Sequence, residues 1–371
     1  MKHRKRLFNA KNPYDFSATE DLFFQAIREN CLFEYEHCEE YRKILDEMNV
    51  DPKQLKTYDD VARIPFLPTL LFKHQRMYAV PKRKMLIRAT SSGTSGTTSE
   101  IGFTVGDLLC GLKMVLKIAG YRRLFSVLPC HYIIFGYKPH KSNRTAVTKT
   151  AFGATLFAPA LSRTYALEMK DEGYVADLKG VLSAIQKHSN SRFPMRFMGF
   201  PSYTYFLMKM MEEQGIFVQL PKKSKIMLGG GWKQFYTEEV DKPTFYALAK
   251  KVFGVDEKDI VEFFGAVEHP VLYCDCKNHH FHVPVYSRVI IRDVETLEPV
   301  GNGKVGLVNL LTPMVKATPI LSVMTDDLGI LHDGKTCGCG LSSPYLEILG
   351  RVGLKDIKTC AAGAEELLSN N

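Results

Sequence analysis

The chain has 371 residues, which is long enough for two or three folding units with sizeable cores. Hydrophobic residues make up 45% and charged residues 24%, so the composition excludes a largely disordered chain, a collagen-like repeat and a disulfide-stapled mini-protein. The 49 Lys and Arg residues outnumber the 40 Asp and Glu residues, for a net charge of +9. Part of that excess lies in Met1–Arg6, which we interpret as a solvated, frayed terminus rather than a nucleic-acid-binding arm.

Localisation follows from what the sequence lacks. No apolar run approaches the roughly 18 residues that a membrane span needs, and the basic start is not followed by the apolar stretch of a secretion signal. We therefore expect a cytoplasmic protein with no membrane span and no nucleic-acid partner. The odd count of nine cysteines leaves at least one thiol outside any disulfide.

The first ninety residues predict helices followed by a linker. Ser17–Glu20 fits a capping box at a helix start, and Leu22, Phe23, Ala26 and Ile27 would form its apolar face. Two prolines in Ile64–Thr69 indicate an extended or irregular segment.

Between about Thr90 and Gly265, short apolar segments alternate with helical ones, which is typical of layered α/β folds. The predicted strands are Phe125–Leu128, Ile133–Phe135, Ala154–Ala158, Met195–Gly199, Lys225–Leu228 and Ile260–Phe264. The predicted helices are Val105–Ala119, Tyr174–His188, Ser202–Gln214 and Val240–Phe253.

After Gly265 the pattern becomes β-rich, with turns of Gly, Asn and Asp. The predicted β segments are Val283–Ile291, Gly306–Leu311 and Ile320–Met324. Gly301–Gly306 formally matches the dinucleotide pattern GxGxxG, but a strand rather than a helix follows it. We interpret it as a hairpin turn.

The most informative segment is Ser91–Ser99, whose nine residues are all Gly, Ser or Thr. Such a loop offers many backbone N–H groups and hydroxyls with little bulk, which suits phosphate oxygens, whereas the alternative is a flexible linker. It lacks the Gly-Lys-Ser/Thr ending of a Walker loop.

This loop is the first of four motifs that resemble the adenylate-forming superfamily of acyl-CoA synthetases and luciferases, in the same order. They are Ser91–Ser99, Phe263–Glu268, Thr325–Asp327 and Gly350–Arg351. Within that superfamily, further segments resemble the acyl-protein synthetase (LuxE-like) family, which supplies fatty acyl groups to a reductase. They are Ile64–Pro68, Phe72–Lys73, Gly230–Lys233 and Asp326–Gly329.

The resemblance implies an α/β fold: an adenylate-forming N-terminal domain with a smaller β-rich subdomain, and a C-terminal domain that is missing or reduced to a short tail. We expect four segments: 1–90 with N-terminal helices and a linker, 91–265 as an ATP-binding core, 266–350 as the β-rich subdomain, and 351–371 as hinge and tail.

The resemblance also implies the roles of individual residues in binding ATP and Mg²⁺. The phosphates would bind to Ser91, Ser92, Gly93, Thr94, Ser95, Gly96 and Thr97. Glu268 corresponds to the Mg²⁺-associated glutamate, and Gly265 and Ala266 would line the adenine. Asp327, or its neighbour Asp326, would accept hydrogen bonds from the ribose, and Arg351 lies at the hinge.

Two departures from the superfamily pattern affect catalysis. The phosphate loop usually ends in Lys, whereas position 99 is Ser, and the chain ends 20 residues after Arg351, before the late catalytic lysine would occur. Lys73, Lys233 or Arg351 would have to supply the missing positive charge.

Cys360 is the candidate nucleophile, since the family is thought to hold its acyl group as a thioester on a cysteine near the C-terminus. Lys355 and Lys358 lie close to it in sequence and would lower its thiol pKa. A buried, inert cysteine is the alternative.

Two short cysteine pairs indicate a structural zinc site. Cys274 and Cys276 form one pair, and Cys337 and Cys339 the other. A histidine from His279, His280 or His282 could replace one thiolate, and free surface thiols are the alternative.

The sequence thus predicts a ligase that activates a carboxylic acid, of the fatty-acid class, as an acyl-adenylate and passes the acyl group through Cys360 to a partner reductase. Two alternatives stay open: an acyl- or aryl-CoA ligase, and a catalytically weak nucleotide-binding subunit that scaffolds a reductase.

Overall fold

The computed structural model describes residues 1–91, 98–140, 146–170, 173–232 and 239–351. They divide into two compact units: unit 1 contains residues 1–121 and those from 265 onward, and unit 2 contains residues 122–264. This division differs from the expected four segments. The segments 1–90 and 266–350 belong to one unit, and the loop at 91–99 belongs to it as well.

The described part of unit 1 before residue 122 contains helices and three short strands. They are α1 Lys2–Leu7, α2 Glu20–His37, α3 Glu39–Glu47, β1 Leu67–Pro68, α4 Leu71–His74, β2 Ile87–Thr90, β3 Glu100–Phe103 and α5 Val105–Tyr121. The strands β2 and β3 form an antiparallel hairpin in which Thr90 faces Glu100.

Unit 2 alternates strands and helices. Its described elements are β4 Cys130–Tyr137, α6 Ala146–Ala154, β5 Ala160–Lys170, β6 Gly173–Ala176, α7 Leu178–Ser189, β7 Met195–Gly199, α8 Pro201–Glu213, β8 Lys225–Gly229, α9 Lys242–Phe253 and β9 Ile260–Phe264. Six of these strands lie side by side in the order β9-β8-β7-β4-β5-β6, and every neighbouring pair except β5 and β6 is parallel. A parallel sheet with crossover helices is the α/β layering that the sequence predicts.

The remainder of unit 1 is β-rich. Its strands are β10 Tyr273–Cys274, β11 Phe281–His282, β12 Arg288–Arg292, β13 Val305–Leu311, β14 Ser322–His332 and β15 Tyr345–Arg351. All of them except β10 build an antiparallel sheet in the order β11-β15-β14-β13-β12, and β1 joins it by pairing in parallel with β14. The segment Gly301–Gly306 forms the turn that leads into β13, as expected for a hairpin rather than a nucleotide fingerprint.

Two predictions for the N-terminus are wrong. The basic start is an ordered helix, α1, because Arg4 is buried and its Nη1 donates to Asp107 Oδ1 at 2.7 Å and to the carbonyl of Met314 at 3.0 Å. The capping box at Ser17–Glu20 is absent, since α2 begins at Glu20 and the Thr19 hydroxyl instead donates to backbone carbonyls.

In unit 2, β7, β9 and most of β8 match their predictions. The strand predicted at Phe125–Leu128 is wrong because those residues are irregular and bend before β4, and the one at Ala154–Ala158 is wrong because α6 ends there. The helix predicted from Tyr174 begins only at Leu178, since the preceding residues pair as β6 with β5. No helix among the described residues is both long and apolar enough to cross a membrane.

Candidate active site

The glycine-rich loop is the connection of the β2–β3 hairpin. Ser91 and Ser99 close its base with two hydrogen bonds: the Ser91 N–H donates to the Ser99 carbonyl at 3.1 Å, and the Ser99 N–H donates to Ser91 Oγ at 3.1 Å. The predicted phosphate-binding residues between them, Ser92–Thr97, lie outside the described residues. The structure therefore defines where this loop starts and ends.

The base of the loop contacts the predicted magnesium ligand directly. The hydroxyl of Ser99 is fully buried and donates a short hydrogen bond to Oε1 of Glu268. Glu268 is itself 6% exposed. Two of the four motifs found in sequence thus meet in unit 1, although 169 positions separate them.

A tight turn holds Glu268 in this position. The Ala266 and His269 backbone groups exchange hydrogen bonds of 3.4 and 3.2 Å around it. The buried His269 side chain lies 3.0 Å from Ser287 Oγ, and burial lowers the pKa of its imidazole to about 3. His269 therefore stays neutral near neutral pH and acts as an uncharged anchor for the turn.

Gly265 lies at the exposed end of β9, next to the half-buried Ala266. A Cβ at position 265 would lie 3.0 Å from the carbonyl oxygen of Val271, so the close approach of the two backbones favours glycine. The small side chains leave this edge of backbone open, which is compatible with the predicted adenine contact.

The two candidate ribose acids on β14 have different surroundings. Asp326 Oδ1 accepts a hydrogen bond from Thr69 Oγ1 at 3.2 Å, and the Thr69 N–H donates to the carbonyl of Met324 at 3.1 Å. Asp327 lies opposite Arg351 in the β14–β15 register, so the third and fourth motifs are also neighbours. The β13–β14 register shifts between Leu307 and Asn309, so both acids lie in a bulge of β14 rather than in its regular ladder.

The candidate nucleophile is not among the residues that the structure describes. Cys360 lies outside the described residues, as do Lys233, Lys355 and Lys358. Lys73, the other predicted source of positive charge, is half-buried on α4 in unit 1.

A separate group of potential metal ligands occurs in unit 1. One ligand atom from each of Cys276, His282, Cys337 and Cys339 lies within 4.8 Å of the others. The Cys276 and Cys337 sulfurs are 3.5 Å apart, and Cys339 Sγ lies 3.2 Å from His282 Nε2. We call these four residues the Cys/His cluster.

The cluster differs from the predicted four-cysteine set in one ligand. Cys274 belongs to β10 and is not part of the cluster, whereas His282 is. The physical reason is a chain reversal: the Cys276 N–H donates to the His280 carbonyl at 2.9 Å, which brings the β11 residue His282 back beside Cys276.

The hydrogen bonds around the cluster orient its potential ligands. His282 Nδ1 lies 2.6 Å from the carbonyl oxygen of Ser343, which requires the proton on Nδ1 and leaves the Nε2 lone pair facing Cys339. The Asn278 N–H donates to Cys276 Sγ at 3.3 Å. Burial raises the pKa of the Cys276 thiol, whereas hydrogen bonds from neighbouring backbone groups, such as the Asn278 N–H, lower it.

Sequence reasoning missed one functional contact and left another open. It recorded Ser99 only as a departure from a lysine pattern, because nothing local in the sequence indicates a partner 169 positions away. It treated His282 as one of three alternatives, and its only signal was the density of histidines after Cys276.

Comparison with solved structures defines the class of fold. The structure of 2-hydroxyisobutyryl-CoA ligase in an open conformation, in complex with 2-HIB-AMP and CoA, matches with a TM-score of 0.67 at 15% identity, covering 92% of this chain and 76% of that one. The same ligase in the postadenylation state matches with a TM-score of 0.66. The fold is that of the adenylate-forming ligases.

The sequence comparisons are more specific. A long-chain-fatty-acid–luciferin-component ligase of Aliivibrio fischeri is 26% identical over 368 residues, covering 96% of this chain and 92% of that protein. A phenylacetate-coenzyme A ligase of Thermus thermophilus is 26% identical, covering 82% of this chain and 64% of that protein. The family described as "Acyl-protein synthetase, LuxE" matches residues 5–369. The chain belongs to this acyl-protein synthetase family and is a ligase.

Proposed function

We propose that this protein activates a fatty acid with ATP as an acyl-adenylate, transfers the acyl group to its own Cys360, and delivers it to a partner reductase. The observation that carries the proposal is the hydrogen bond from Ser99, at the base of the glycine-rich loop, to Glu268. The names of the fatty-acid ligase relatives support the acid class and the acyl-protein product.

The proposed reaction has two steps before delivery to the reductase, adenylation of the acid and transfer of the acyl group to Cys360. In the first, a carboxylate oxygen of the acid attacks the α-phosphorus of ATP, the bond to the bridging oxygen breaks, and pyrophosphate leaves. In the second, the Cys360 thiolate attacks the acyl carbon, the bond to the AMP oxygen breaks, and AMP leaves. The thiol proton is lost to solvent before the attack.

The first step brings two anions together, and this chain's residues would reduce that cost. The backbone N–H groups of the 91–99 loop would bind phosphate oxygens, and their position is set by the closed base at Ser91 and Ser99. Mg²⁺ would supply positive charge at the phosphates.

The donor set at Glu268 fits a hard divalent cation. One carboxylate oxygen accepts from Ser99, while the other has no hydrogen bond to a described residue and is not among the fully buried unpaired polar atoms. When one oxygen of a carboxylate is held by a hydrogen bond, the second oxygen keeps a fixed direction and is available to a cation or to one of its waters.

For the nucleotide, we assign the ribose contact to Asp327 rather than Asp326. The Asp326 carboxylate is already engaged by Thr69, which ties β1 to β14. Asp327 pairs across from Arg351, the residue at the predicted hinge. Gly265 and Ala266 would accept the adenine along their open backbone.

Intact mass of the protein after incubation with MgATP and a panel of carboxylic acids tests this function. We expect a mass increase equal to one acyl group, removed by hydroxylamine, with a medium- or long-chain fatty acid. Formation of acyl-CoA without protein labelling would favour the CoA-ligase alternative, which the phenylacetate-CoA ligase relatives support. Neither product would favour the scaffold alternative.

We also propose that the Cys/His cluster binds one structural zinc ion. Tetrahedral Zn²⁺ with bonds of about 2.3 Å to sulfur and about 2.0 Å to nitrogen places two sulfurs roughly 3.8 Å apart and a sulfur and a nitrogen roughly 3.5 Å apart. The separations of 3.5 Å between the Cys276 and Cys337 sulfurs and 3.2 Å between Cys339 Sγ and His282 Nε2 are each about 0.3 Å shorter, which a small outward shift of the ligands corrects. Three thiols and a correctly protonated imidazole are a ligand set typical of closed zinc sites.

Zinc content of two matched cysteine variants tests this second proposal. We expect about one zinc per chain in the wild type and in Cys274→Ser, and its loss in Cys276→Ser. Both cysteines are buried and lie two positions apart, so they are matched in location. Zinc-free wild-type protein would contradict the site, and zinc loss in Cys274→Ser as well as in Cys276→Ser would restore the four-cysteine set.

A further inference from the structure

The hydroxyl of Ser99 occupies an unusual place for a loop residue. It is fully buried, whereas the loop it ends is the connection of a hairpin. Its backbone closes the loop on Ser91, and its side chain donates to Glu268. One residue therefore links the backbone position of the loop to the position of a carboxylate.

Glu268 depends on this link for its orientation. Its backbone is held by the Ala266–His269 turn, but among the described residues the only hydrogen bond to its carboxylate comes from Ser99. A hydrogen bond to one oxygen of a carboxylate fixes the orientation of the whole group, and so the direction of its second oxygen. Loss of the donor leaves both oxygens free to rotate.

We propose that Ser99 is a positioning residue, which holds Oε1 of Glu268 so that Oε2 is presented to the divalent cation that accompanies ATP. This inference rests on the proposed function. It also accounts for serine at this position: Ser99 is fully buried, and a lysine ammonium placed there would neutralise Glu268 as well as hold it.

The role of Ser99 would couple cation binding at Glu268 to phosphate binding by the loop. Because the same residue closes the base of the loop and holds the carboxylate, binding of the cation at Glu268 and binding of phosphate by the loop should favour each other. Removal of the Ser99 hydroxyl leaves the backbone hydrogen bond from the Ser91 N–H to the Ser99 carbonyl in place. It therefore weakens the cation site more than it weakens the hairpin.

Binding of Mn²⁺ in the presence of a non-hydrolysable ATP analogue tests this inference, read from the free Mn²⁺ signal by electron paramagnetic resonance. Ser99→Ala should bind Mn²⁺ about 10- to 100-fold more weakly than the wild type, the usual effect of losing a hydrogen bond that orients a metal ligand. The Mg²⁺ concentration for half-maximal ATP–pyrophosphate exchange should rise by the same factor.

Two further variants make the result specific. Ser99→Cys keeps nearly the same volume with a weak donor, so an intermediate loss is expected, and it replaces the alanine variant if that one does not fold. Ser224→Ala is the matched control, because Ser224 in unit 2 is also buried and donates to the Pro221 carbonyl at 2.7 Å. It should leave Mn²⁺ binding unchanged.

The outcomes separate this inference from the function on which it rests. Equal Mn²⁺ affinity in the wild type, Ser99→Ala and Ser99→Cys overturns the role of Ser99 while the proposed function stands. Absence of nucleotide-dependent Mn²⁺ binding in the wild type overturns the magnesium site of the proposed function itself.

Discussion

The contact between Ser99 and Glu268 and the Cys/His cluster lie in the same unit, but they expose their polar atoms differently. At the first, one carboxylate oxygen accepts from Ser99, and the other has no hydrogen bond to a described residue. At the second, the sulfurs and the imidazole of Cys276, His282, Cys337 and Cys339 face one another.

This difference indicates different roles. A site with an open position can exchange ligands during a reaction, whereas a closed tetrahedral site serves stability. The cluster lies at the start of β15, where Tyr345 pairs with His282, and the same strand ends at Arg351 opposite Asp327. Metal binding would therefore anchor β15, which ends opposite the proposed ribose acid, without taking part in the chemistry.

The largest expected effect concerns Cys360, the proposed acyl acceptor, which is not among the described residues. Cys360→Ser should abolish hydroxylamine-sensitive labelling of the protein by ATP and fatty acid, because a serine hydroxyl lacks thiolate character near neutral pH. Acid-dependent ATP–pyrophosphate exchange should stay within about twofold of the wild type, since the groups proposed to form the adenylate are untouched.

Cys38→Ser is the control for this variant. Burial raises the pKa of the Cys38 thiol to about 12, so it is an inert cysteine and its replacement should leave labelling intact. Labelling of Cys360→Ser at the wild-type level would show that the acyl acceptor is another residue or a separate carrier.

Removal of the metal should affect stability first. Chelation of the wild type, or Cys276→Ser, should lower the melting temperature by at least about 5 °C, because the free energy of metal binding contributes to the folded state. Calorimetry with and without chelator measures the shift. An unchanged melting temperature together with zinc loss would show that the cluster does not stabilise the fold.

The smallest expected effect distinguishes the two acids on β14. Asp327→Asn should raise the KM for ATP about tenfold, which is about 1.4 kcal/mol and near the lower end of the contribution of a hydrogen bond to a charged acceptor, because asparagine keeps a neutral acceptor oxygen. Asp326→Asn should change it less than about threefold, because that carboxylate bonds to Thr69. Initial rates of pyrophosphate exchange against ATP concentration measure both. The opposite order would move the ribose contact to Asp326.

The sequence predicts elements that depend on local patterns, and it misses those that depend on contacts between distant residues. Buried parallel strands such as β7 and β9 are short apolar runs between turn residues, so they are readable locally. The eleven-residue strand β5 was not predicted, because Ala160–Lys170 mixes charged, polar and apolar residues without a clean alternation. The buried Arg4 was missed since its partner Asp107 lies 103 positions away.

The residues of the sites can likewise be predicted from local motifs, whereas the contacts between them cannot. Glycine-rich composition and motif order identified the loop and Glu268, but the hydrogen bond that joins them depends on tertiary packing. The cysteine pairs indicated a metal, yet the choice of His282 over Cys274 follows from a turn at 276–280 that their spacing does not specify.

The most direct test of the account is acid-dependent ATP–pyrophosphate exchange, measured side by side for Glu268→Gln and Cys276→Ser below the melting temperature of each. We expect Glu268→Gln to lose about 100- to 1,000-fold in rate, because the charge that would hold the cation is gone. Cys276→Ser should retain at least about half of the wild-type rate, as expected for a structural site. Near-wild-type exchange in Glu268→Gln, or a comparable loss in Cys276→Ser, would contradict the assignment of chemistry to one region and stability to the other.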